Sequence, residues 1–518
     1  MEVLEIKLIY NKLKSFLFSR AFVVSLLLLM QAAFLIVLLS RLSQYFIEVS
    51  MLLEILSIIV AIVVFNSNIN PSYKLALIIP IMLFPIFGGL FYITIGRPRI
   101  SSKLGKRLRG VEERVKSTLL LNAPSVKLSQ LASNLLSQSI YLTQAGFPPF
   151  ENTDTTYYKS GEEKFEALIE DLEKAKRYIM LEYFIIEEGE MWNRILDILE
   201  RKAKEGVEVR VIYDGFGCLF TLPNDYSEVL KEKGIHCVEF NEYVPIMTTL
   251  MNNRDHRKIL VIDGHTGFMG GVNLADEYIN AKEKYGHWKD SAIRLQGEAV
   301  WSMVAMFINM WSGITGEELN INKYRPDPEE TNIAGSGIVQ PYSDSPLDSV
   351  LVGEMVYINM INRANRYVYI CTPYLIVDNE TSTALILAAQ SGVDVRIMTP
   401  HIGDKWYVHL ISRAHYPQLI KGGVKIYEYT PGFVHSKTFV SDDAVATVGT
   451  VNLDYRSLYL HFECGVWMAN TDSISDLRDD FLNTLEQCEQ VTPDSKIMKA
   501  GLFRRLFGAL LKIFTPLM

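Results

Sequence analysis

His256-Arg-Lys-Ile-Leu-Val-Ile-Asp263 and, 179 positions later, His435-Ser-Lys-Thr-Phe-Val-Ser-Asp442 are two copies of one pattern, His-x-Lys-x-x-x-x-Asp. Lys258-Ile-Leu-Val-Ile-Asp and Lys437-Thr-Phe-Val-Ser-Asp each read as a short strand. The alternation of a strand puts the histidine and the lysine on one face. The aspartate, five residues beyond the lysine, projects from the other face and falls near the turn. Asp263 and Asp442 are therefore members of the motif with turn or strand-end roles rather than chemical ones. Each copy is followed by small residues and an asparagine, Gly270-Gly-Val-Asn273 and Gly449-Thr-Val-Asn452. Two such matches arise by chance in on the order of one chain in a thousand.

Outward from the motifs, the same texture occurs twice. Tyr178 to Ile186 reads as a buried strand, Met191 to Glu205 as a helix and Val207 to Tyr213 as the next strand. Arg366-Tyr-Val-Tyr-Ile-Cys371 repeats Arg177-Tyr-Ile-Met-Leu-Glu182, and Gly392-Val-Asp-Val-Arg-Ile397 repeats Gly206-Val-Glu-Val-Arg-Val211. An internal duplication of an α/β unit accounts for all of these matches.

The chain has 518 residues, 49% hydrophobic and 21% charged, with the apolar content crowded into the first 95 positions. That distribution predicts a membrane part ahead of a globular body. A formal charge of −8 argues against a nucleic-acid partner, which needs basic surface to displace counterions. Cys218, Cys237, Cys371, Cys464 and Cys488 are scattered and lack any C-x-x-C spacing, so neither a disulfide framework nor a thiolate zinc site is expected.

Ala21 to Ser40 and Leu75 to Ile95 are uncharged runs long enough to cross a bilayer core of ~30 Å. Ile47 to Phe65 is apolar but broken by Glu48 and Glu54. The sequence favours a hairpin of Ile47–Phe65 and Leu75–Ile95 around Asn66-Ser-Asn-Ile-Asn-Pro-Ser72, with the first segment left open. Eight basic residues against two acidic ones between Arg97 and Lys116 predict that the body lies on the cytoplasmic side. The plan is thus two to three transmembrane helices in residues 1–96, a basic juxtamembrane linker in 97–156, repeats in 157–335 and 336–492, and an amphipathic surface helix in 493–518.

Two histidines in symmetric motifs suit phosphodiester transfer. A phosphodiester has a poor alkoxide leaving group, so one imidazole attacks phosphorus while another protonates the departing oxygen. Lys258, Lys437, Asn273 and Asn452 would bind the non-bridging oxygens, which leaves no task that requires a metal or another cofactor.

The motif-bearing stretches, His256-x-Lys258 with Gly270 to Asn273 and Gly432-Phe-Val-His435-x-Lys437 with Gly449 to Ser457, resemble the phospholipase D superfamily. Within it, the N-terminal segments ending Pro85-Ile-Phe-Gly-Gly-Leu-Phe-Tyr-Ile-Thr-Ile-Gly96 are similar to bacterial cardiolipin synthases rather than to soluble nucleases. The resemblance implies a duplicated α/β/α sandwich in the bacterial cell membrane, acting on phosphatidylglycerol among anionic lipids. It also implies a phosphatidyl-histidine intermediate, with His256 as nucleophile and His435 as acid and base, although pseudo-symmetry permits the reverse. Membrane-tethered hydrolysis to phosphatidic acid is the alternative. Helped by the family pattern, Glu463 is expected to orient His256 and Asp290 to orient His435. His461 and His401, the latter near Asp404, are expected only as pocket wall. Oligomeric state stays open.

Overall fold

The computed structural model describes residues 44–67, 69–84, 102–124, 131–242, 252–331, 333–347 and 350–495, with isolated positions outside these runs. It divides into one compact unit of Met1–Ser101, Glu242–Asn253 and Leu510–Met518, and another of Ser102–Asn241 and Arg254–Ala509.

Two sheets built on one plan organise the larger unit. The first contains β1 (Thr153–Tyr158), β2 (Tyr178–Tyr183), β3 (Glu208–Asp214), β4 (His236–Phe240), β5 (Lys258–Ile262), β6 (Thr266–Gly270) and β8 (Ala292–Gly297), ordered β1-β8-β6-β5-β2-β3-β4. The second contains β9 (Ile338–Asp344), β10 (Tyr367–Cys371), β11 (Asp394–Pro400), β12 (Lys425–Tyr429), β14 (Thr438–Ser441), β15 (Val445–Gly449), β16 (Glu463–Ala469) and β17 (Cys488–Val491), ordered β17-β12-β11-β10-β14-β15-β16-β9. Apart from the added β17, the orders superimpose strand for strand. In each, three strands run parallel and the motif strand, β5 or β14, joins them antiparallel. Two three-residue strands, β7 (His287–Lys289) and β13 (Gly432–Val434), pair in parallel and tie one half to the other.

Helices lie on both faces of the first sheet. Ile179, Leu181 and Phe268 share a core with Phe165, Leu168 and Leu172 of α5 (Gly161–Glu173) and with Trp192, Ile195 and Leu199 of α6 (Glu190–Lys204). The next residue back along β6, Gly267, faces the other way, where a Cβ would meet Val300 and Met303 of α7 (Val300–Thr315). The sandwich and its duplication are as the sequence predicts.

The stretch expected as a basic linker, 97–156, is instead largely folded over its described residues. α3 (Ser102–Leu121) and α4 (Ser133–Gln144) are both helices of the larger unit. Arg107 on α3 donates to the carbonyls of Gly313 (2.6 Å) and Ile314 (2.5 Å) at the C-terminal end of α7, where unpaired carbonyls attract a cation. Gln138 on α4 accepts from the buried indole of Trp467 at 3.1 Å. Basic residues that sequence assigns to a lipid-facing tether thus also serve protein contacts.

In the smaller unit, α1 (Gln44–Phe65) and α2 (Pro71–Leu83) form a hairpin. Val64, Leu77 and Ile81 pack together near its turn, and Asn70 caps α2 by accepting from the Ser72 N–H at 2.9 Å. Among the described residues no helix is long and apolar enough to cross a membrane. The eleven apolar positions after Glu54 rise only ~16 Å, about half a bilayer core. The expected segment Ala21–Ser40, the end of Leu75–Ile95 and the C-terminal amphipathic helix lie mostly outside the described residues.

Candidate active site

Both motif histidines sit at junctions between the halves. His256 lies just before β5, and its N–H donates to the carbonyl of Phe462 at 2.9 Å. His435 follows β13, and its N–H donates to the carbonyl of Lys289 at 2.7 Å. Each histidine is thereby clamped beside the residue that precedes a carboxylate of the other half. His256 Nδ1 is 3.0 Å from both carboxylate oxygens of Glu463, and His435 Nδ1 is 2.7 Å from Asp290 Oδ2. The placement is crossed, each histidine contacting the carboxylate carried by the opposite half. With Nδ1 committed, Nε2 is the nitrogen left for chemistry.

The other motif residues separate into two sets. Lys258 Nζ donates to the His256 carbonyl at 2.5 Å and Lys437 Nζ to the His435 carbonyl, so each ammonium is tethered by one N–H with two to spare. Asn273 accepts from the Ile185 N–H at 3.0 Å and donates to the Tyr278 hydroxyl at 2.6 Å, while Asn452 donates to Ser457 Oγ at 3.1 Å. Asp263 and Asp442 stand apart, in left-handed turns at φ 53° and 57°. Asp263 accepts from the N–H groups of Lys176, Arg177 and Tyr178, and Asp442 from those of Asn365, Arg366 and Tyr367. They fasten the motif strand to the start of its neighbour.

The supports of the two histidines differ. A Cβ on Gly271 would lie 2.1 Å from Asp290 Oδ1, so only glycine admits that carboxylate. At the equivalent position Thr450 donates its hydroxyl to Glu463 Oε2 at 2.5 Å. His461 Nδ1 approaches Glu463 Oε1 at 3.6 Å, which sets His461 beside the site. Among the described residues, His256, His461 and Glu463 form a group whose ligand atoms lie within 4.8 Å of one another and could hold a metal ion. His401, by contrast, pairs with Glu428 at 2.9 Å, and Asp404 accepts from Tyr374. Aromatic walls complete the site, with Phe184 5.0 Å from His256 and Trp288 and Tyr278 5.3 and 5.6 Å from His435. Beneath them, buried Arg257 binds Glu182 at 2.5 Å and Asp255 at 3.1 Å.

Charge is adjusted by burial and by neighbours. Burial, then Lys258 and Lys437, hold His256 well below the usual histidine range, and burial with Lys437 pushes His435 down to about 4 against the pull of Asp290. Burial lowers Lys258 to about 8 and Lys437 to about 7, opposed chiefly by Glu463 and Asp290 respectively. Burial raises Asp290, but His435 and Lys437 outweigh it and hold the carboxyl below its ordinary value. The result is a pair of neutral imidazoles beside two readily titrated ammonium groups.

Thr450, Gly271 and Tyr278 are contacts that sequence reasoning missed. One signal was available: a hydroxyl residue stands five positions after each asparagine, Tyr278 after Asn273 and Ser457 after Asn452.

The phospholipase D-like domain of cardiolipin synthases matches residues 168–311 and 357–485, covering both motif-bearing halves. The chain belongs to the cardiolipin synthase family of phospholipase D-like enzymes. A phospholipase D-nuclease N-terminal domain matches residues 55–97. The cardiolipin synthase of Alkalihalophilus pseudofirmus is 34% identical over 467 residues, 89% of this chain and 92% of that one. That of Geobacillus kaustophilus is 35% identical over 480 residues, 90% and 93%. An uncharacterized protein of Streptococcus mutans serotype c is 45% identical over 455 residues, 88% and 98%. The crystal structure of phosphatidylserine synthase from Haemophilus influenzae, 16% identical, aligns with a TM-score of 0.54 over 73% of this chain and 97% of that one, which shows the shared fold.

Proposed function

We propose that this member of the family is a membrane-bound cardiolipin synthase, transferring a phosphatidyl group from one phosphatidylglycerol to another through a phosphatidyl-histidine. The observation that carries the mechanism is the crossed pair of histidine–carboxylate contacts at 3.0 and 2.7 Å. Neutral His256 Nε2 attacks phosphorus while protonated His435 gives its proton to the departing glycerol oxygen, breaking the P–O bond. The hydroxyl of the second lipid then attacks phosphorus, its proton passes to His435, and the P–N bond breaks to give cardiolipin. Burial and then the charge of Lys437 hold His435 down; a substrate anion between the two lysines offsets the second of these, so binding favours the protonated acid. Lys258 and Lys437 balance the charge on the non-bridging oxygens, with Asn273 and Asn452 lining the cradle.

The membrane setting is part of this reading. Apolar side chains of α1 and α2, among them Leu52, Ile55, Ile59, Ile62 and Leu75, are more than half exposed, a surface suited to lipid. Multi-pass insertion with the body on the cytoplasmic side rests on the apolar runs and the basic residues after Ile95.

The test is purified full-length protein with labelled phosphatidylglycerol and a chelator. Cardiolipin and free glycerol in equal amounts are expected. Phosphatidic acid alone would replace the transferase with a hydrolase, and loss of activity to the chelator would overturn the metal-free mechanism.

A further inference from the structure

We propose that the loops following β3 and β11 form an aromatic rim that inserts into the headgroup layer of an anionic bilayer. The rim would set the catalytic end of the body directly on the lipid surface. This rests on the reading that the substrate is a phospholipid.

Topology puts the two loops at the same end of the sheets as the histidines. In the first half Tyr183 at the end of β2 pairs with both Tyr213, near the end of β3, and Lys258 of the motif. In the second, Cys371 at the end of β10 pairs with both Met398 and Thr438, the residue after Lys437. The loop after β3 is also packed against the site. A Cβ on Gly217 would strike the carbonyl of Phe184, the residue whose ring lies against His256. The loop after β11 reaches the site through Asp404, which accepts at 2.7 Å from Tyr374, a side chain packed against the core that holds Tyr278 and Trp288, and through Lys405, whose charge bears on His256.

Both loops present large apolar side chains to solvent. Phe220 is 92% exposed and Phe216 48% in the first, and Trp406 is 68% exposed and Ile402 40% at the second. Single exposed apolar residues are ordinary; three on pseudo-equivalent loops of a lipid enzyme, with Trp406 opening the helix that follows the second, are not. The first loop is also held in shape. Asp214 Oδ1 accepts from the N–H groups of Phe216 and Gly217 at 2.9 Å, and Thr221 donates to the Ile186 carbonyl at 2.6 Å. Tryptophan and phenylalanine beside a lysine are the side chains that partition to an anionic interface, and ordered loops lose little freedom on inserting them.

Trp406 makes the test direct, because the other five tryptophans, Trp192, Trp288, Trp301, Trp311 and Trp467, are buried. Full-length protein is reconstituted into phosphatidylglycerol vesicles containing brominated lipid. The expected result is a fluorescence component quenched by bromine and absent from W406F. Phe220→Asp with Trp406→Asp should lower turnover on vesicles about tenfold or more while leaving turnover of detergent-dispersed phosphatidylglycerol within about twofold. Trp406 that is quenched by aqueous iodide, or by neither quencher because protein covers it, would overturn the rim. Failure to make cardiolipin in detergent would instead count against the proposed function, and Trp406 quenching would still report on the rim.

Discussion

Lys437 and Lys258, held by burial at about 7 and about 8, give the site an alkaline limit well below that of an ordinary lysine. Their ammonium charge is present below those values and lost as pH rises through them. In the free enzyme kcat/KM should therefore decline gently once pH passes the value of about 4 at which His435, the acid, loses its proton, and should fall more steeply above about pH 7 to 8, whereas kcat should hold to higher pH because bound phosphodiester favours the charged lysines. Lys437→Met should lower kcat/KM about 100-fold and remove the lower of the two alkaline steps, read from paired pH profiles. Glu463→Gln and Asp290→Asn should each lower kcat about 100-fold or more, and near wild-type turnover from both would end the orienting proposal. The histidines and lysines were legible because repetition in register marks them twice, whereas Asp290 and Glu463, 34 and 28 residues beyond the motif histidines, came into view only with the family pattern. Thr450 and Gly271 were not. One fills and the other vacates the space beside a carboxylate, and sequence does not show which spaces a carboxylate enters.

At the level of elements, the turns after β5 and β14 are fastened by Asp263 and Asp442 through three backbone N–H groups each. An asparagine there retains one good acceptor and turns an NH2 toward donors. Asp263→Asn should thus cost about 1–3 kcal/mol, seen as a lower Tm, while kcat of the folded enzyme stays within a few-fold. A collapse of kcat without loss of Tm would return the aspartate to the chemistry. Strand alternation was enough to place these residues off the catalytic face. It could not reveal that α3 belongs to the body, because the contacts of Arg107 lie more than 200 residues away in sequence and its basic composition imitates a tether.

For the molecule as a whole, removal of the residues after Pro493 should lower activity on vesicles more than activity in detergent, measured by the same cardiolipin assay. Unchanged activity on vesicles would refute the expected surface helix. The duplication itself was plain from three aligned stretches, and the strand orders of the two sheets repeat it. The crossing was legible only with the help of the family pattern, since nothing in a linear repeat shows whether partners come from the same copy or the opposite one.

That crossing bears on how the enzyme comes into being during synthesis. His256 and its lysine emerge from the ribosome long before Glu463, the carboxylate that His256 contacts, and β16 has to join the second sheet before it is delivered. A nascent or prematurely ended chain would accordingly hold half a site. Competence is thus tied to delivery of the second half.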